Sequence, residues 1–281
     1  IKMIVYLNGH FVAKEDAKIS PDDRGFLFAD GAYEVIRSYA GELFEPAAHL
    51  DRLRRSLNEL RITGAPDADL PAVIGEVIRR NPAHSGDCTV YIQITRGTAA
   101  RCHSFPDRET SPTVYISVAP FQSQDEKAAQ GAKIILVPDI RWGRCDIKTV
   151  ALLPNILASQ TAKERGADEA VFVRDGYITE GTHTNFCGIF SQRLVTHPLD
   201  NHILDGITRR VVLDLCHDMR IPVEETPIHE NDLKNAAELL LMCTTLEVMP
   251  VVQVDGRPVA DGVAGPVTRA LQKAFRRRIN M

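Results

Sequence analysis

From residue 141 the chain reads Arg141-Trp142-Gly143-Arg144-Cys145-Asp146-Ile147-Lys148, and after a predicted helix and strand it continues Thr179-Glu180-Gly181-Thr182-His183-Thr184-Asn185-Phe186. Lys148 precedes an apolar run, and a lysine whose ammonium is partly desolvated becomes a neutral amine that can attack a carbonyl carbon. Glu180 lies among small hydroxyl residues, and a carboxylate can keep a nearby ring nitrogen protonated. Each residue alone is typical of a solvated surface. Their combination, in this order, predicts a site built on an imine-forming lysine.

Two further segments offer the chemistry that binds a phosphate group. Leu204-Asp205-Gly206-Ile207-Thr208-Arg209 opens a predicted helix, where free backbone N–H groups, a glycine and the Thr208 hydroxyl can surround an anion. An ordinary helix cap would have the same composition. A predicted strand ends in Cys243-Thr244-Thr245, which again places hydroxyls at a strand end. Both segments are therefore candidates for a phosphate site.

The composition is that of an ordinary globular protein with a slight negative charge. The 281 residues are 44% hydrophobic and 25% charged, and the formal net charge of −4 argues against nucleic acid or an anionic membrane as the main partner. The six cysteines are scattered without zinc-binding spacing, so we expect no metal and reduced thiols in a cytoplasmic protein. The apolar run from Met3 to Leu7 is too short for a signal peptide or a membrane span.

The pattern of apolar residues predicts an α/β (α+β) chain with two domains. We expect a hairpin around Asn8-Gly9, a half-buried strand from Tyr33 and a helix opened by Pro46. Further strands are expected at 89–95, 113–118, 133–137, 170–174, 177–180, 186–190, 194–196, 239–242 and 251–254, and further helices at 70–80, 154–165, 204–219 and 265–278. A polar segment then divides the chain into a smaller N-terminal α/β domain (1–121), a linker (122–126) and a larger C-terminal domain (127–281) that carries Lys148.

Ten short motifs occur in order along nearly the whole chain. They are Tyr6-Leu7-Asn8-Gly9, Asp23-Arg24-Gly25-Phe26, Asp30-Gly31-Ala32-Tyr33-Glu34, His49-Leu50-Asp51-Arg52-Leu53, Asp146-Ile147-Lys148, Leu153-Pro154-Asn155, Glu180-Gly181, Asn185, Gly206-Ile207-Thr208-Arg209 and Thr244-Thr245. Any one motif is a weak signal, but together they are specific. With them the chain resembles the fold-type IV pyridoxal-phosphate transaminases of class IV, and within that group the D-amino acid aminotransferases. This resemblance implies a smaller N-terminal mixed-sheet domain and a larger C-terminal barrel-like domain.

The resemblance also implies pyridoxal 5′-phosphate as the cofactor and a role for each matching residue. Lys148 would carry the cofactor as a Schiff base and would then move a proton between the substrate α-carbon and the cofactor. Glu180 would pair with the pyridine nitrogen. The phosphate would be held by Arg52, Ile207, Thr208 and Thr245, with Thr244 close by.

The substrate class rests on a second set of residues. The loop from Arg96 to His103 contains Arg101 and His103, and an arginine can bind a carboxylate through two parallel hydrogen bonds, although a solvated basic loop would look the same. In the family that the chain resembles, Tyr33, Arg101 and His103 match the residues that hold the substrate α-carboxylate of D-amino acids. There the loop comes from the neighbouring subunit, which implies a homodimer.

The expected reaction exchanges an amino group, by a ping-pong mechanism, between a D-amino acid of the D-alanine or D-glutamate type and a 2-oxo acid such as 2-oxoglutarate or pyruvate. Alternatives on the same fold are a branched-chain L-amino acid transaminase, an (R)-amine transaminase and an aminodeoxychorismate lyase. The joint presence of Lys148 and Glu180 argues against a non-catalytic scaffold. Two residues depart from the family pattern, because His183 and Cys243 stand where small hydroxyl residues are more usual.

Overall fold

The computed structural model describes residues 2–65, 69–82, 86–106 and 110–279. The chain forms two compact units. The first comprises Ile1–Gln122 with Ile147–Ala151, and the second comprises Ser123–Asp146 with Leu152–Met281. Each unit has its own sheet and its own buried apolar core.

The first unit is built on a six-stranded antiparallel sheet. Its strands are β1 (Ile4–Leu7), β2 (His10–Ala13), β3 (Gly31–Tyr39), β4 (Glu42–Leu43), β5 (Cys88–Thr95) and β6 (Thr113–Pro120). They are ordered β2-β1-β6-β5-β3-β4. The helices are α1 (Arg24–Phe28), α2 (Pro46–Glu59) and α3 (Leu70–Arg80), and a short 3-10 helix covers Lys14–Asp16.

The core of the first unit follows from the alternation of side chains along its strands and from the apolar stripe along its helix α2. Alternate residues of β3 are buried, namely Ala32, Glu34 and Ile36, because successive side chains of a strand point to opposite faces. The apolar stripe of α2 is buried as well, with its members Leu50, Leu53 and Leu57 packed in the same cluster. The sheet therefore presents one face to α2 and α3, and this packing positions the residues that follow Gly31.

The described residues of the second unit form ten strands. They are β7 (Ala132–Pro138), β8 (Glu169–Arg174), β9 (Tyr177–Gly181), β10 (Asn185–Phe190), β11 (Arg193–Thr196), β12 (Val223–Glu225), β13 (Ile228–His229), β14 (Glu238–Cys243), β15 (Glu247–Val254) and β16 (Arg257–Pro258). The helices are α4 (Asp125–Gln130), α5 (Leu153–Glu164), α6 (Ile207–Asp218) and α7 (Pro266–Ile279), and a 3-10 helix covers Glu230–Asn235.

Six strands of the second unit close into a ring. The strand order runs β10-β14-β15-β7-β8-β9, and the pairing of Glu180 with Asn185 returns β9 to β10. Neighbouring residues of β7 show the two sides of this wall, because Ile134 packs in one apolar cluster and Ile135 packs in another that includes Ala158 of α5. The barrel-like form predicted for this part of the chain is confirmed.

The segment Ile147–Ala151 belongs to the first unit, although the sequence-based division placed Lys148 in the larger C-terminal domain. The physical reason is backbone pairing with the start of β3. Tyr33 N donates to Lys148 O at 3.0 Å, and Val150 N donates to Gly31 O at 3.1 Å. The predicted linker 122–126 also differs from the structure, since α4 begins at Asp125.

Two classes of site find no support in the described part of the chain. No helix there is long and apolar enough to cross a membrane. The same residues contain no group of three or more histidine, cysteine, aspartate or glutamate side chains arranged to hold a metal ion.

Candidate active site

The backbone around Lys148 is fixed by two elements of the first unit. Lys148 N donates to Ser56 Oγ of α2 at 3.1 Å, and Lys148 O accepts from Tyr33 N of β3. The side chain is half-buried, with Nζ 4.3 Å from the centroid of the Tyr33 ring. Because a helix and a strand hold the lysine, its amine is positioned by rigid structure rather than by a loose loop. The structure thus brings together two of the predicted residues, Lys148 and Tyr33.

Arg52 lies in a buried cluster with Glu34 and His49. Its Nε and Nη2 donate to the two Glu34 carboxylate oxygens at 2.6 and 2.9 Å, and His49 Nδ1 is 2.8 Å from Glu34 Oε2. Burial raises the pKa of Glu34, but the charge and hydrogen bonds of Arg52 outweigh it and lower that pKa to about 2. Burial lowers the pKa of His49, so the neutral ring donates from Nδ1. Arg52 is therefore a guanidinium held in one orientation.

The positions of Arg52 and Lys148 are related through α2. Arg52 precedes Ser56 by four residues, so both project from one face of the helix. Ser56 is the residue that accepts from Lys148 N. The sequence predicted Arg52 as a phosphate ligand but assigned no role to Glu34 or His49. The sequence contained one signal for this cluster. Glu34 lies on the face of the predicted strand that is expected to be buried, and a buried carboxylate needs a charged partner.

Arg101 and His103 both lie near the Phe28 ring in the first unit. The guanidinium carbon of Arg101 lies 5.2 Å from the Phe28 centroid, and the His103 ring lies 5.7 Å from it. Both side chains are exposed. In the described part of this chain Tyr33 has ring contacts with Lys148 and Tyr91, and it shares no ring contact or hydrogen bond with Arg101 or His103. Within the described residues, one chain therefore brings Arg101 and His103 together without a ring contact or hydrogen bond to Tyr33.

Glu180 lies at the closure of the ring in the second unit, and its carboxylate is buried. Oε1 accepts from Arg141 Nη1 at 2.5 Å, while Oε2 accepts from Asn185 Nδ2 at 3.2 Å and from Leu204 N at 2.9 Å. Hydrogen bonds from three donors, one of them charged, stabilise a buried carboxylate in its ionised form. Glu180 is thus a fixed negative charge, as its predicted role requires.

Arg141 is the charged partner of Glu180, and the sequence interpretation assigned it no role. It joins Glu180 to Asp139, whose carboxylate accepts from Arg141 Nε and Nη2 at 2.9 Å each. Burial alone would lower the pKa of Arg141, but the hydrogen bonds to Asp139 and the charge of Glu180 raise it above its ordinary value. The guanidinium therefore stays charged and keeps Glu180 ionised. The sequence offered one signal for this role, since Arg141 lies in the same stretch as Lys148. If such an arginine is buried, it needs a carboxylate partner.

The start of α6 is tied to Glu180 through Asn185. Asn185 Nδ2 donates both to Glu180 Oε2 and to Leu204 O, the latter at 2.8 Å. Gly206 precedes the helix and has no side chain to cap it, so the first N–H groups of α6 depend on an external acceptor or water. Ile207 and Thr208 are buried at this helix start. The structure therefore brings Glu180, Ile207 and Thr208 into one connected arrangement.

Thr244 and Thr245 lie on the turn between β14 and β15, and both are half-buried. Thr245 Oγ1 is 3.4 Å from Cys243 Sγ, and Leu246 N donates to the same sulfur at 3.3 Å. The turn that carries the two hydroxyls is therefore anchored by the Cys243 side chain. A second departure from the family pattern, His183, lies beside the same sulfur.

Comparisons with known proteins agree with this arrangement. The family described as amino-transferase class IV matches residues 31–254. A D-alanine aminotransferase of Staphylococcus haemolyticus is 41% identical over 276 residues, covering 98% of this chain and 97% of that protein. One from Bacillus licheniformis is 37% identical over 278 residues, covering 99% and 97%.

Solved structures show the same fold. The crystal structure of an Escherichia coli branched-chain amino acid aminotransferase has a TM-score of 0.91 and 26% identity, covering 98% of this chain and 94% of that chain. A branched-chain aminotransferase from the thermophilic archaeon Thermoproteus uzoniensis, solved with norvaline, has a TM-score of 0.87 and 27% identity, covering 99% and 95%. The chain that carries Lys148 and Glu180 thus has the fold of these aminotransferases.

The chain belongs to the class IV aminotransferases. This confirms the family, the fold class and the transaminase activity predicted from the motifs.

Proposed function

We propose that this protein is a pyridoxal-phosphate-dependent aminotransferase whose amino donors are D-amino acids and whose acceptors are 2-oxo acids. The observation that carries the proposal is the placement of the Lys148 amine 4.3 Å from the ring centroid of Tyr33. It sets the residue proposed to form the covalent cofactor link beside a residue proposed to bind the substrate carboxylate. The relatives that are 41% and 37% identical, both D-alanine aminotransferases, support the same substrate class.

The donor set fits pyridoxal phosphate. A phosphorylated pyridine aldehyde requires an amine, a fixed carboxylate for its ring nitrogen and several phosphate donors. Lys148 supplies the amine, and the buried Glu180, with three donors of its own, supplies the carboxylate. We assign the phosphate to the Arg52 guanidinium, the uncapped start of α6 and the hydroxyl turn after β14. These are the residues Arg52, Ile207, Thr208, Thr244 and Thr245.

When bound, the cofactor supplies a carbonyl group for amines and a ring that withdraws electrons from the substrate α-carbon. Glu180, kept ionised by Arg141, holds the proton on the ring nitrogen and so maintains that withdrawal. Lys148 Nζ would hold the cofactor covalently and would serve as the base at the substrate α-carbon. Tyr33, Arg101 and His103 hold the α-carboxylate. The side on which they hold it decides which enantiomer presents its α-hydrogen to Lys148.

The proposal includes a homodimer and a cytoplasmic location. Arg101 and His103 are exposed in this chain and share no ring contact or hydrogen bond with Tyr33 in its described part, so a second copy of the chain can bring them to the carboxylate site. All six cysteines lie in the described residues and are outside disulfide bonds, which is typical of a reducing compartment. The proposed homodimer and the proposed location rest on these observations and on the resemblance to the family.

Transamination of D-alanine and of L-alanine, each with 2-oxoglutarate, tests the proposal. We expect turnover of D-alanine that exceeds that of L-alanine by about two orders of magnitude or more, because a fixed carboxylate site aligns one enantiomer only. Production of pyruvate is the measurement. Turnover of L-leucine or L-valine with neither alanine accepted would instead favour a branched-chain activity, which the two branched-chain structural neighbours make the second candidate.

A further inference from the structure

The two departures from the family pattern lie side by side in the second unit. Cys243 ends β14, and His183 lies in the short connection between β9 and β10. Their side chains lie close enough to interact with each other. A third residue, Glu169 at the start of β8, completes what we name the Cys243–His183–Glu169 cluster, because its Oε2 lies 2.9 Å from His183 Nδ1.

Glu169 is held as a fixed carboxylate. Its side chain is 2% exposed, and Oε1 accepts from Thr182 Oγ1 at 2.6 Å and from Ala170 N at 2.9 Å. Burial raises the pKa of Glu169, but the hydrogen bond and charge of His183, with the bonds from Thr182 and Ala170, lower it below its ordinary value. The Glu169 carboxylate therefore holds the His183 ring through Nδ1.

The Cys243 sulfur is surrounded by donors. Besides His183, it accepts from Leu246 N at 3.3 Å and lies 3.4 Å from Thr245 Oγ1. Burial raises the pKa of this thiol, but the hydrogen bond and charge of His183 outweigh it and lower that pKa below its ordinary value. For His183, burial lowers the pKa, while the bonds to Cys243 and Glu169 raise it well above its ordinary value. The cluster therefore favours a thiolate paired with an imidazolium.

Small molecules can reach this cluster. Cys243 is half-buried, and the His183 side chain is 51% exposed. Water at the exposed edge of the ring weakens the attraction between the ring and the sulfur. The carboxylate opposite Cys243 in the strand register, Glu247, is engaged by Arg276 Nε at 2.9 Å and so does not cancel the imidazolium charge.

The other cysteines provide the contrast. Burial raises the pKa of Cys88 and Cys187, and it raises the pKa of Cys145 and Cys216 to about 11 each. Cys102 is exposed, and its sulfur lies 3.1 Å from a neutral hydroxyl, that of Ser104. Exposure alone therefore predicts Cys102 as the reactive thiol, whereas activation by a charged neighbour predicts Cys243.

We propose that Cys243 is a modification site, at which a thiolate held by His183 and Glu169 reacts with small electrophiles, hydrogen peroxide among them. With peroxide the sulfur bonds to one oxygen as the O–O bond breaks. The thiolate is oxidised by two electrons to a sulfenic acid, and the peroxide is reduced. The departing hydroxide takes the imidazolium proton of His183 and leaves as water.

Modification also bears on the neighbouring turn. The sulfur anchors Leu246 N and Thr245 Oγ1, so an added oxygen displaces one of these contacts. This consequence rests on the proposed function, which assigns the cofactor phosphate to Thr244 and Thr245. We expect peroxide to loosen the cofactor by about tenfold or more, the usual effect of losing one polar contact to a charged group.

Alkylation of the holoenzyme by limiting iodoacetamide, mapped by peptide mass spectrometry, tests the thiolate independently of any transaminase assay. At about pH 7 we expect Cys243 to react about ten times faster than Cys102, with an inflection in its pH profile below the ordinary value near 8.5. His183→Ser should slow Cys243 about tenfold, and His217→Ser, which removes a histidine whose side chain is 91% exposed, should not. Glu169→Gln offers a second route if His183→Ser fails to fold, which labelling of the buried Cys187 would reveal.

Peroxide followed by dimedone should then place the sulfenic-acid adduct on Cys243. Preferential labelling of Cys102, or equal rates at Cys243 in the His183→Ser and His217→Ser variants, would overturn the proposal. A Cys243 adduct that leaves cofactor absorbance and affinity unchanged would overturn the coupling to the turn while sustaining the reactive site. Failure of D-alanine turnover in unmodified protein would count against the proposed function alone.

Discussion

Glu34 is a buried carboxylate whose pKa depends on its neighbours. Its side chain is 0% exposed, and Arg52 and His49 both bind its carboxylate. The folded-state pKa is about 2, against 4.5 for an unperturbed glutamate. As the pH falls, the unfolded chain takes up a proton at Glu34 before the folded chain does. The stabilisation from this carboxylate is therefore complete above about pH 4.5 and is lost as the pH falls from there toward about 2.

Glu34→Gln tests this linkage. At neutral pH we expect a loss of about 3–5 kcal/mol in the free energy of unfolding, because the change leaves the buried Arg52 charge without its carboxylate. That difference from wild type should shrink by about 2 kcal/mol as the pH falls from about 7 to about 3. Urea unfolding at several pH values measures it. Glu76→Gln is the matched control, since Glu76 pairs with Arg79 and Arg80 at the surface, where water screens the charges. A difference that stays constant with pH would contradict the linkage.

At the scale of single residues, the sequence predicted which side chains take part in the proposed chemistry. It did not predict which other residues fix those side chains in place. Lys148 and Glu180 were recognised from their chemical types and neighbours, and the transaminase family to which they point is shown. Arg141, Asn185 and Glu169 act through contacts with residues that lie elsewhere in the chain. Such pairings depend on the closure of the sheet, and no local pattern records them.

The start of α6 is the element on which the proposed phosphate site depends most closely. A Cβ built on Gly206 would lie 1.9 Å from Asn185 Oδ1, well inside contact distance. The backbone of Gly206, with φ −70° and ψ 132°, is one that any residue adopts, so the obstacle is the neighbour and not the conformation. Because Asn185 also donates to Glu180, displacing it disturbs the carboxylate as well.

Gly206→Ala should therefore destabilise the protein by about 2 kcal/mol or more and weaken cofactor binding. Gly75→Ala is the control within α3, where an added Cβ meets nothing within 4 Å. That substitution should stabilise the protein by up to about 1 kcal/mol, because alanine loses less backbone entropy in a helix than glycine does. Urea unfolding and cofactor titration measure both variants. Equal stability of the two variants would rule out the close packing of Gly206 on Asn185.

The sequence predicted the strands and helices whose apolar residues recur with a clear period. It did not predict elements that are very short or that form only by pairing with distant strands. The stretch from Tyr33 and the helix opened by Pro46 are observed as β3 and α2, since alternation and an apolar stripe are local signals. The short helix α1, capped where Asp23 Oδ1 accepts from Gly25 N, went unpredicted because five residues show no period. The short strands β12 and β13 were also missed, and they exist only through pairing with β11 and β9.

At the scale of the whole molecule, the residues to which the motifs assign a role occur in both units, and the proposed homodimer adds residues of a second copy. Lys148, Tyr33 and Arg52 belong to the first unit, and Glu180 and the start of α6 belong to the second. The composition of the chain does not predict that these residues are distributed over two units. That distribution was implied only by the motifs, each of which is too short to fold alone.

Complementation between two inactive variants tests the proposed homodimer directly. Lys148→Ala should abolish turnover and the borohydride-reducible cofactor link, whereas Lys163→Ala on the exposed face of α5 should do neither. Arg101→Ala should keep the link but raise the KM for D-alanine about tenfold or more, because a charged hydrogen bond to the carboxylate is lost.

If Arg101 acts on the carboxylate in the neighbouring subunit, a mixed dimer of these two variants contains one complete site. Its intact lysine comes from the Arg101→Ala subunit and its intact arginine from the Lys148→Ala subunit. Random assembly makes half of the dimers mixed, each with one of two sites intact, so we expect about a quarter of wild-type activity at low D-alanine concentration. Co-expression of differently tagged chains, followed by two affinity steps, isolates the mixed dimer. No gain over the Arg101→Ala protein alone would show that the arginine serves its own subunit, because the mixed dimer then contains no complete site.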